Sequence, residues 1–275
     1  MALAHALVTA PSVVPRGWML FLHGILGSGG NWRTIARQFT AGRPSWGAVL
    51  VDLRMHGASQ DFAPPHTVAT AAQDLLALEA GLPGPVRGVL GHSFGAKVAM
   101  MYADRRGESL TAAWYLDGMP GARLDARGSE ITYRVVSLLE SWPRAYPTRQ
   151  AFVDRVRAAG FDDAIAQWLA MNVRREGDRF VWRLDVVAIR TMLEDYFARD
   201  LWHVLERPRG KVNSHVLVAG RSNVFDADDR TRLEQVRAAN PSRTTVGVFE
   251  SAGHWLHVDA PDDVLAALVG RTADP

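Results

Sequence analysis

At 275 residues, 48% hydrophobic and 22% charged, the chain is long enough to bury a full core, and one α/β domain carrying an inserted segment needs no second one. Lys and Arg number 31 against 29 Asp and Glu, a net charge of +2 with the basic residues scattered, which gives no footing for nucleic acid or an anionic membrane. The absence of cysteine excludes disulfides, thiolate zinc sites and a cysteine nucleophile together.

The N-terminal stretch lacks a basic leading region and is broken by proline, so it does not read as a signal peptide. No apolar run approaches the roughly 20 residues of a membrane span, and a cytoplasmic protein is the expectation. Short apolar runs then alternate with segments of helical period, the pattern of parallel strands joined by crossover helices. The first clear strand, "WMLFLHG", runs into "ILGSGGNW". His23 closes that strand and suits a structural hydrogen bond better than a base, while the N–H of Ile25 is placed to face developing negative charge. The glycine-rich stretch Gly27 to Gly30 has no Lys-Ser/Thr behind it and no G-x-G-x-x-G pattern, so no nucleotide cofactor is expected.

A helical stretch over 32–39 leads to the strand "GAVLVDLR", whose Asp52 and Arg54 are expected to form an ion pair shaping the following loop beside His56. After a helix over 68–79 comes "VRGVLGHSFGAKVAMMYA", the strongest signal in the chain. A strand ends in Gly91-His92-Ser93-Phe94-Gly95 and a helix of good formers begins at once. A serine between glycines at such a turn is a nucleophile elbow, with its hydroxyl raised above the sheet and the Phe94 N–H at the helix start facing an oxyanion. The bland alternative is an ordinary glycine-rich strand-to-helix turn.

The strand "LTAAWYLDG" ends in Asp117, and the alternation then lapses between about residues 121 and 208. That segment is helical in pattern, rich in Arg and Trp, and reads as a helical cap inserted on one edge of the sheet, with 1–120 and 209–275 forming the core. Its aromatic residues Trp142, Trp168, Trp182, Trp202, Phe152, Phe161, Phe180 and Tyr196 read mainly as the cap's own core. Arg174 and Arg175, balanced by Glu176 and Asp178, read as solvated surface rather than as a seat for an anionic leaving group such as an acyl-CoA.

The strand "SHVLVAGRS" is followed by a helical stretch over 230–239, and "TTVGVFES" by "AGHWLHVDAP". His254, in a loop directly after a strand, is the general base, since the order serine, acid, histidine fits it; His257, near the last helix over 262–269, reads as packing or capping. The acid has two candidates. Ser222, just past a strand end, offers a hydroxyl with no compensating charge, and Asp226 beyond it makes a good N-cap for the helix that follows. Asp117 ends the strand expected to lie next to that of Ser93, within reach of a histidine poised over the serine, and is preferred. The histidines are too scattered for a metal motif, so no metal is expected.

Together, "LHGILGSGGNWRTIARQF", "VDLRMHGAS", "GHSFGAKVAM", "YLDGMPG" and "GHWLHVDAPDDV" resemble the α/β-hydrolase superfamily. Within it they resemble the YbfF-type bacterial serine esterases and the ABHD-eleven-like hydrolases, as does the cap stretch "FVWRLDVVAIRTMLEDY". The resemblance implies the α/β-hydrolase fold, a mostly parallel central sheet flanked by helices, and an acid at Asp117 with a serine at Ser222. The chain departs from those relatives in "SFGAK", where Met and a second Gly are commoner, and in "DLRMHG", where Asn is usual before His. Ser93 at the elbow separates the chain from relatives that use an aspartate there.

The expected activity is therefore carboxylic-ester hydrolysis of small to medium acyl esters, with Ile25 and Phe94 as oxyanion donors and His23, Leu26, His92 and Trp255 around a small-molecule ester substrate. Hydrolysis of a carbon–carbon bond or cofactor-free perhydrolysis on the same residues is the enzymatic alternative. A hydrolase-fold ligand receptor with a vestigial site is the alternative of another class. A second copy of the chain, as a homodimer, is compatible with these features, and no nucleic-acid partner is expected.

Overall fold

A computed structural model describes residues 2–125 and 130–275. The first half of the chain supplies strands β1 (His5–Val8), β2 (Gly17–Leu22), β3 (Trp46–Val51), β4 (Val86–His92) and β5 (Ala112–Leu116), with helices α1 (Arg33–Gly42), α2 (Val68–Glu79) and α3 (Phe94–Arg106) between them. An inserted segment follows, carrying α4 (Glu130–Ser141), β6 (Ala145–Tyr146), α5 (Arg149–Ala158), α6 (Asp163–Ala170), β7 (Val173–Glu176), β8 (Arg179–Trp182), α7 (Val186–Ala198) and α8 (Trp202–Glu206). The chain then returns to the sheet with β9 (Asn213–Ala219), α9 (Ala227–Ala239), β10 (Thr244–Phe249), α10 (Leu256–Asp259) and α11 (Pro261–Arg271).

The seven-stranded sheet has the order β1-β3-β2-β4-β5-β9-β10, parallel throughout except for β1, which pairs antiparallel with β3. All six strands expected from the sequence are present. The additional β1 is four residues long and mostly exposed, so it lacks the apolar run that marks the others. Along β2 the side chains alternate between two cores. Met19 and Phe21 pack with α1 and α11, while Trp18, Leu20 and Leu22 pack on the opposite face with α2 and α3. Both faces of the sheet are therefore covered, which is why its central strands read as continuous apolar runs.

The helices start where the sequence supplies caps. Thr67 accepts from the Thr70 N–H ahead of α2, and Asp226 from the Asp229 N–H ahead of α9. The inserted segment is mainly helical, and it also holds a small antiparallel sheet in the order β6-β8-β7, separate from the central one. These strands are two to four residues long and only partly buried, so they carry no core pattern to read. Trp182, Trp202, Phe152, Phe161 and Tyr196 are buried in the packing of this segment, and Arg174 and Arg175 are exposed, both as the sequence suggested.

The segment's two ends are tied together and to the core. The Leu201 N–H donates to the Pro120 carbonyl at 2.9 Å and the Arg123 N–H to the Phe197 carbonyl at 2.7 Å. Farther out, the Asp195 carboxylate accepts from the Val68 N–H at 2.8 Å.

Candidate active site

The sheet order reverses between β2 and β4, since the chain builds outward through β3 on one side and through β5 on the other. In open α/β sheets the crevice beyond the carboxyl ends of the strands at such a point is where ligands bind. The residues singled out from the sequence converge there.

Ser93 sits at φ 55° and ψ −118°, outside the regions open to most L-residues, in a turn between β4 and α3 that leaves its side chain half-buried. The flanking glycines permit it. A Cβ on Gly91 would lie 2.0 Å from the Gly95 carbonyl oxygen, and one on Gly95 would lie 2.5 Å from that of His23. The Ser93 N–H donates to the Leu116 carbonyl at 2.9 Å, so the turn is fixed to the end of β5.

Asp117 follows that strand end directly and is fully buried. Its own N–H donates to the Leu217 carbonyl, and its Oδ1 accepts from the Ala219 N–H at 3.1 Å, so β9 holds it from the far side. Its Oδ2 lies 2.7 Å from Nδ1 of His254, and Nε2 of His254 lies 3.0 Å from Oγ of Ser93. The carboxylate partner assigns the proton to Nδ1, which leaves Nε2 as the acceptor facing the serine hydroxyl. The three side chains form one continuous hydrogen-bonded line.

Asp226, the other acid candidate, is engaged elsewhere. It caps α9 and pairs with Arg123 at 3.1 Å, and Arg123 also binds Asp229 and donates to the Val224 carbonyl at 2.9 Å. The Ser222 hydroxyl accepts from the Val224 N–H at 3.2 Å.

On the other side of Ser93, Gly24 to Gly27 form a tight turn closed by a 3.0 Å hydrogen bond from the Gly27 N–H to the Gly24 carbonyl. Within it the Leu26 N–H is already spent on Nε2 of His56 at 3.1 Å. Among the described residues, the N–H groups of Ile25 and Phe94 have no such partner.

The residues expected around the substrate divide. His23 is 1% exposed, donating through Nδ1 to the Gly24 carbonyl at 2.7 Å and accepting at Nε2 from the Leu53 N–H at 3.0 Å. Both ring nitrogens are consumed by the framework, so it does not offer a polar group to a ligand. Nε2 of His92 donates to the His254 carbonyl at 2.7 Å, which steadies the histidine loop from below. Leu26 is 1% exposed, whereas Trp255 is half-buried and packs on Trp168 of α6 at 5.4 Å between ring centroids. His257 lies against the rings of Trp32 and His92, in the packing role expected of it.

The expected Asp52–Arg54 ion pair is not formed. Arg54 pairs with Asp74 of α2 at 2.6 Å, while Asp52 accepts from the Gly29 and Ala58 N–H groups at 2.8 Å each. Asp52 therefore still shapes both loops, through backbone amides instead of a guanidinium, because the Arg54 side chain is long enough to reach the neighbouring helix.

Burial sets the electrostatics beneath the site. Desolvation pulls His23 down to about 4 and His56 to about 3, and holds His92 well below the ordinary histidine value, with the charges of His254 and His257 adding to the effect on His92. All three rings are neutral hydrogen-bonding struts.

Two further residues escape a reading of the sequence. Lys97, one turn below Ser93 on α3, is fully buried, and its Nζ donates to the carbonyls of Gly121, Tyr196 and Arg199 at 2.8, 2.7 and 2.9 Å while lying 4.3 Å from the Tyr196 ring centroid. Desolvation pulls it down to about 7, against the opposing charges of Asp200 and Asp195. Asn172, in the turn after α6, donates through Nδ2 to the Leu26 carbonyl at 2.7 Å.

Comparison with known proteins agrees with this architecture. Over 285 residues the chain is 27% identical to the sn-1-specific diacylglycerol lipase ABHD11 of Mus musculus, covering 99% of this chain and 86% of that protein. It is 29% identical over 283 residues to the 2-succinyl-6-hydroxy-2,4-cyclohexadiene-1-carboxylate synthase of Klebsiella pneumoniae, covering 98% of each. A solved marine microorganism esterase superposes with a TM-score of 0.83 at 19% identity, over 98% of this chain and 99% of that one. The model of the alpha/beta hydrolase family matches residues 19–268, and with the sheet, the elbow and the convergent loops in place, the chain belongs to that family.

Proposed function

We propose that the chain is a serine carboxylic-ester hydrolase acting on small to medium acyl esters, with Ser93 as nucleophile, His254 as general base and Asp117 as the acid that orients it. The observation that carries the reading is the unbroken line from the Ser93 hydroxyl through His254 to a buried carboxylate, at 3.0 and 2.7 Å. A pure binding role requires none of these contacts. Nε2 takes the Ser93 proton as Oγ bonds to the ester carbonyl carbon, and the carbonyl oxygen becomes an oxyanion received by the N–H groups of Ile25 and Phe94. Collapse breaks the carbon–alkoxy bond, and the proton on Nε2 leaves with the alcohol. Water then gives its proton to Nε2 and attacks the acyl-enzyme, which releases the acid and restores Ser93. Asp117 keeps the imidazole in the one tautomer that can accept at Nε2 and offsets the positive charge that forms on it.

The segment over 121–208 acts as the cap that bounds the substrate pocket, and the identity to a diacylglycerol lipase along nearly the whole chain favours an ester over other acyl donors. The test is covalent labelling with a fluorophosphonate alongside turnover of p-nitrophenyl esters of graded acyl length. Wild type should be labelled at Ser93 and release alcohol in a burst when deacylation is slow, and Ser93→Ala should lose both. Full resistance to the reagent, or an active Ser93→Ala, would overturn the proposal.

A further inference from the structure

The Gly24–Gly27 turn places Leu26 at φ 61°, a left-handed backbone that a branched residue adopts only when its surroundings hold it there. Two side chains do so, from opposite directions. His56 of the core accepts the Leu26 N–H at 3.1 Å, and Asn172 of the inserted segment donates to the Leu26 carbonyl at 2.7 Å in a buried contact. Asn172 is itself fixed within its own segment. Its N–H donates to the Leu169 carbonyl at 3.0 Å and its carbonyl accepts from the Arg183 N–H at 3.1 Å. The same part of the segment reaches the other side of the site, where Trp168 of α6 packs on Trp255, the neighbour of His254. One short stretch, 168–172, thus touches both the loop that carries Ile25 and the loop that carries His254.

We infer that Asn172 is a positioning residue for the oxyanion donor: its hydrogen bond to the Leu26 carbonyl makes the orientation of the Ile25 amide depend on the seating of α6 against the core. This inference rests on the ester-hydrolase reading. The physical reason is that the Leu26 carbonyl and the Ile25 N–H belong to the same short turn. Leu26 held at positive φ keeps that turn in one shape, and release of the carbonyl lets it relax toward ordinary backbone geometry, which rotates the donor away from the oxyanion.

The test compares wild type with Asn172→Leu, which keeps the volume without the donor, and Asn172→Asp, which keeps the shape but as a carboxylate can only accept. Both should lower kcat roughly tenfold to a hundredfold with KM within about threefold. Affinity for a trifluoromethyl ketone, which forms a tetrahedral oxyanion on the serine, should weaken in parallel with kcat/KM across the series. Melting curves of each variant separate misfolding from mispositioning, and if one variant does not fold the other carries the measurement. If the folded variants retain kcat and ketone affinity while wild type is phosphonate-labelled and Ser93→Ala is inactive, this inference fails and the hydrolase reading stands. If wild type is not labelled, the hydrolase reading fails first.

Discussion

Replacing Asp117 by Asn isolates what the buried carboxylate does. Its Oδ1 accepts the Ala219 N–H at 3.1 Å, so an asparagine would keep its carbonyl oxygen on that side and turn its amide N–H groups toward His254. Nδ1 of the imidazole would then have to accept, the ring proton would move to Nε2, and the nitrogen facing Ser93 could no longer take a proton. The lost charge adds to this. With 2.7 Å between Oδ2 and Nδ1, the centres of carboxylate and imidazolium lie roughly 4–5 Å apart, an attraction on the order of 4 kcal/mol at an effective dielectric of about 20. That corresponds to about a thousandfold in rate, so Asp117→Asn should lower kcat/KM for a p-nitrophenyl ester by at least that factor while circular dichroism and melting show a folded chain. The paired variant, Asp226→Ala, removes a helix cap and an acidic partner of Arg123 that Asp229 also serves. It should cost about 1 kcal/mol of stability and leave turnover within a few-fold of wild type. A folded Asp117→Asn retaining more than a tenth of the rate, or an inactive but folded Asp226→Ala, would refute the assignment of the acid.

Acid should unfold the chain early. His23, His56 and His215 are held neutral by burial, pulled down to about 4, 3 and 4, so below the ordinary histidine value the unfolded chain binds protons that the folded chain refuses. Stability therefore falls as pH drops below about 6.5 and goes on falling toward pH 4. Between pH 7.5 and 5.5 each ring costs about 1.4 kcal/mol, on the order of 4 kcal/mol together, and His92 acts in the same direction. Urea midpoints at the two pH values measure this, and an unchanged or higher midpoint at pH 5.5 would contradict it. Lys97→Met should destabilise the chain by about 3 kcal/mol, seen as a drop of several degrees in Tm, because the carbonyls of Gly121, Tyr196 and Arg199 lose their shared donor. A loss below about 1 kcal/mol would mean that the ammonium's own desolvation offsets those bonds.

What could be read from the sequence was whatever is local. The elbow is five consecutive residues between a strand and a helix, and His254 follows a strand directly, so pattern and spacing suffice to single both out. Asp117 needed one more step, the adjacency of two strands, and the register of His92 against Leu116 in β4 and β5 supplies it. Arg54 misled because a nearby acid in sequence is not the nearest in space, where Asp74 of α2 takes it. Lys97 and Asn172 were invisible for the same reason in a stronger form. The acceptors of Lys97 lie 24, 99 and 102 residues away, and that of Asn172 lies 146 away, so nothing in their own neighbourhood marks them. The short strands β6, β7 and β8, two to four residues long and only partly buried, have no period to display.

The hydrogen bonds that join Leu201 to Pro120 and Arg123 to Phe197 make a closed neck where the inserted segment leaves the sheet and returns to it. Lys97 is the rivet through that neck, gripping Gly121 on the outgoing strand of chain and Arg199 on the returning one. A segment whose two ends already meet can be exchanged as a cassette, since the sheet sees the same short gap whatever is strung across it. The limit on such grafting is set by Asp117, three residues ahead of Pro120. A foreign segment that leaves after Gly121 and rejoins before Tyr196 would inherit an intact acid and an intact rivet, whereas a junction at Asp117 itself would cut into the carboxylate's own hold on β9.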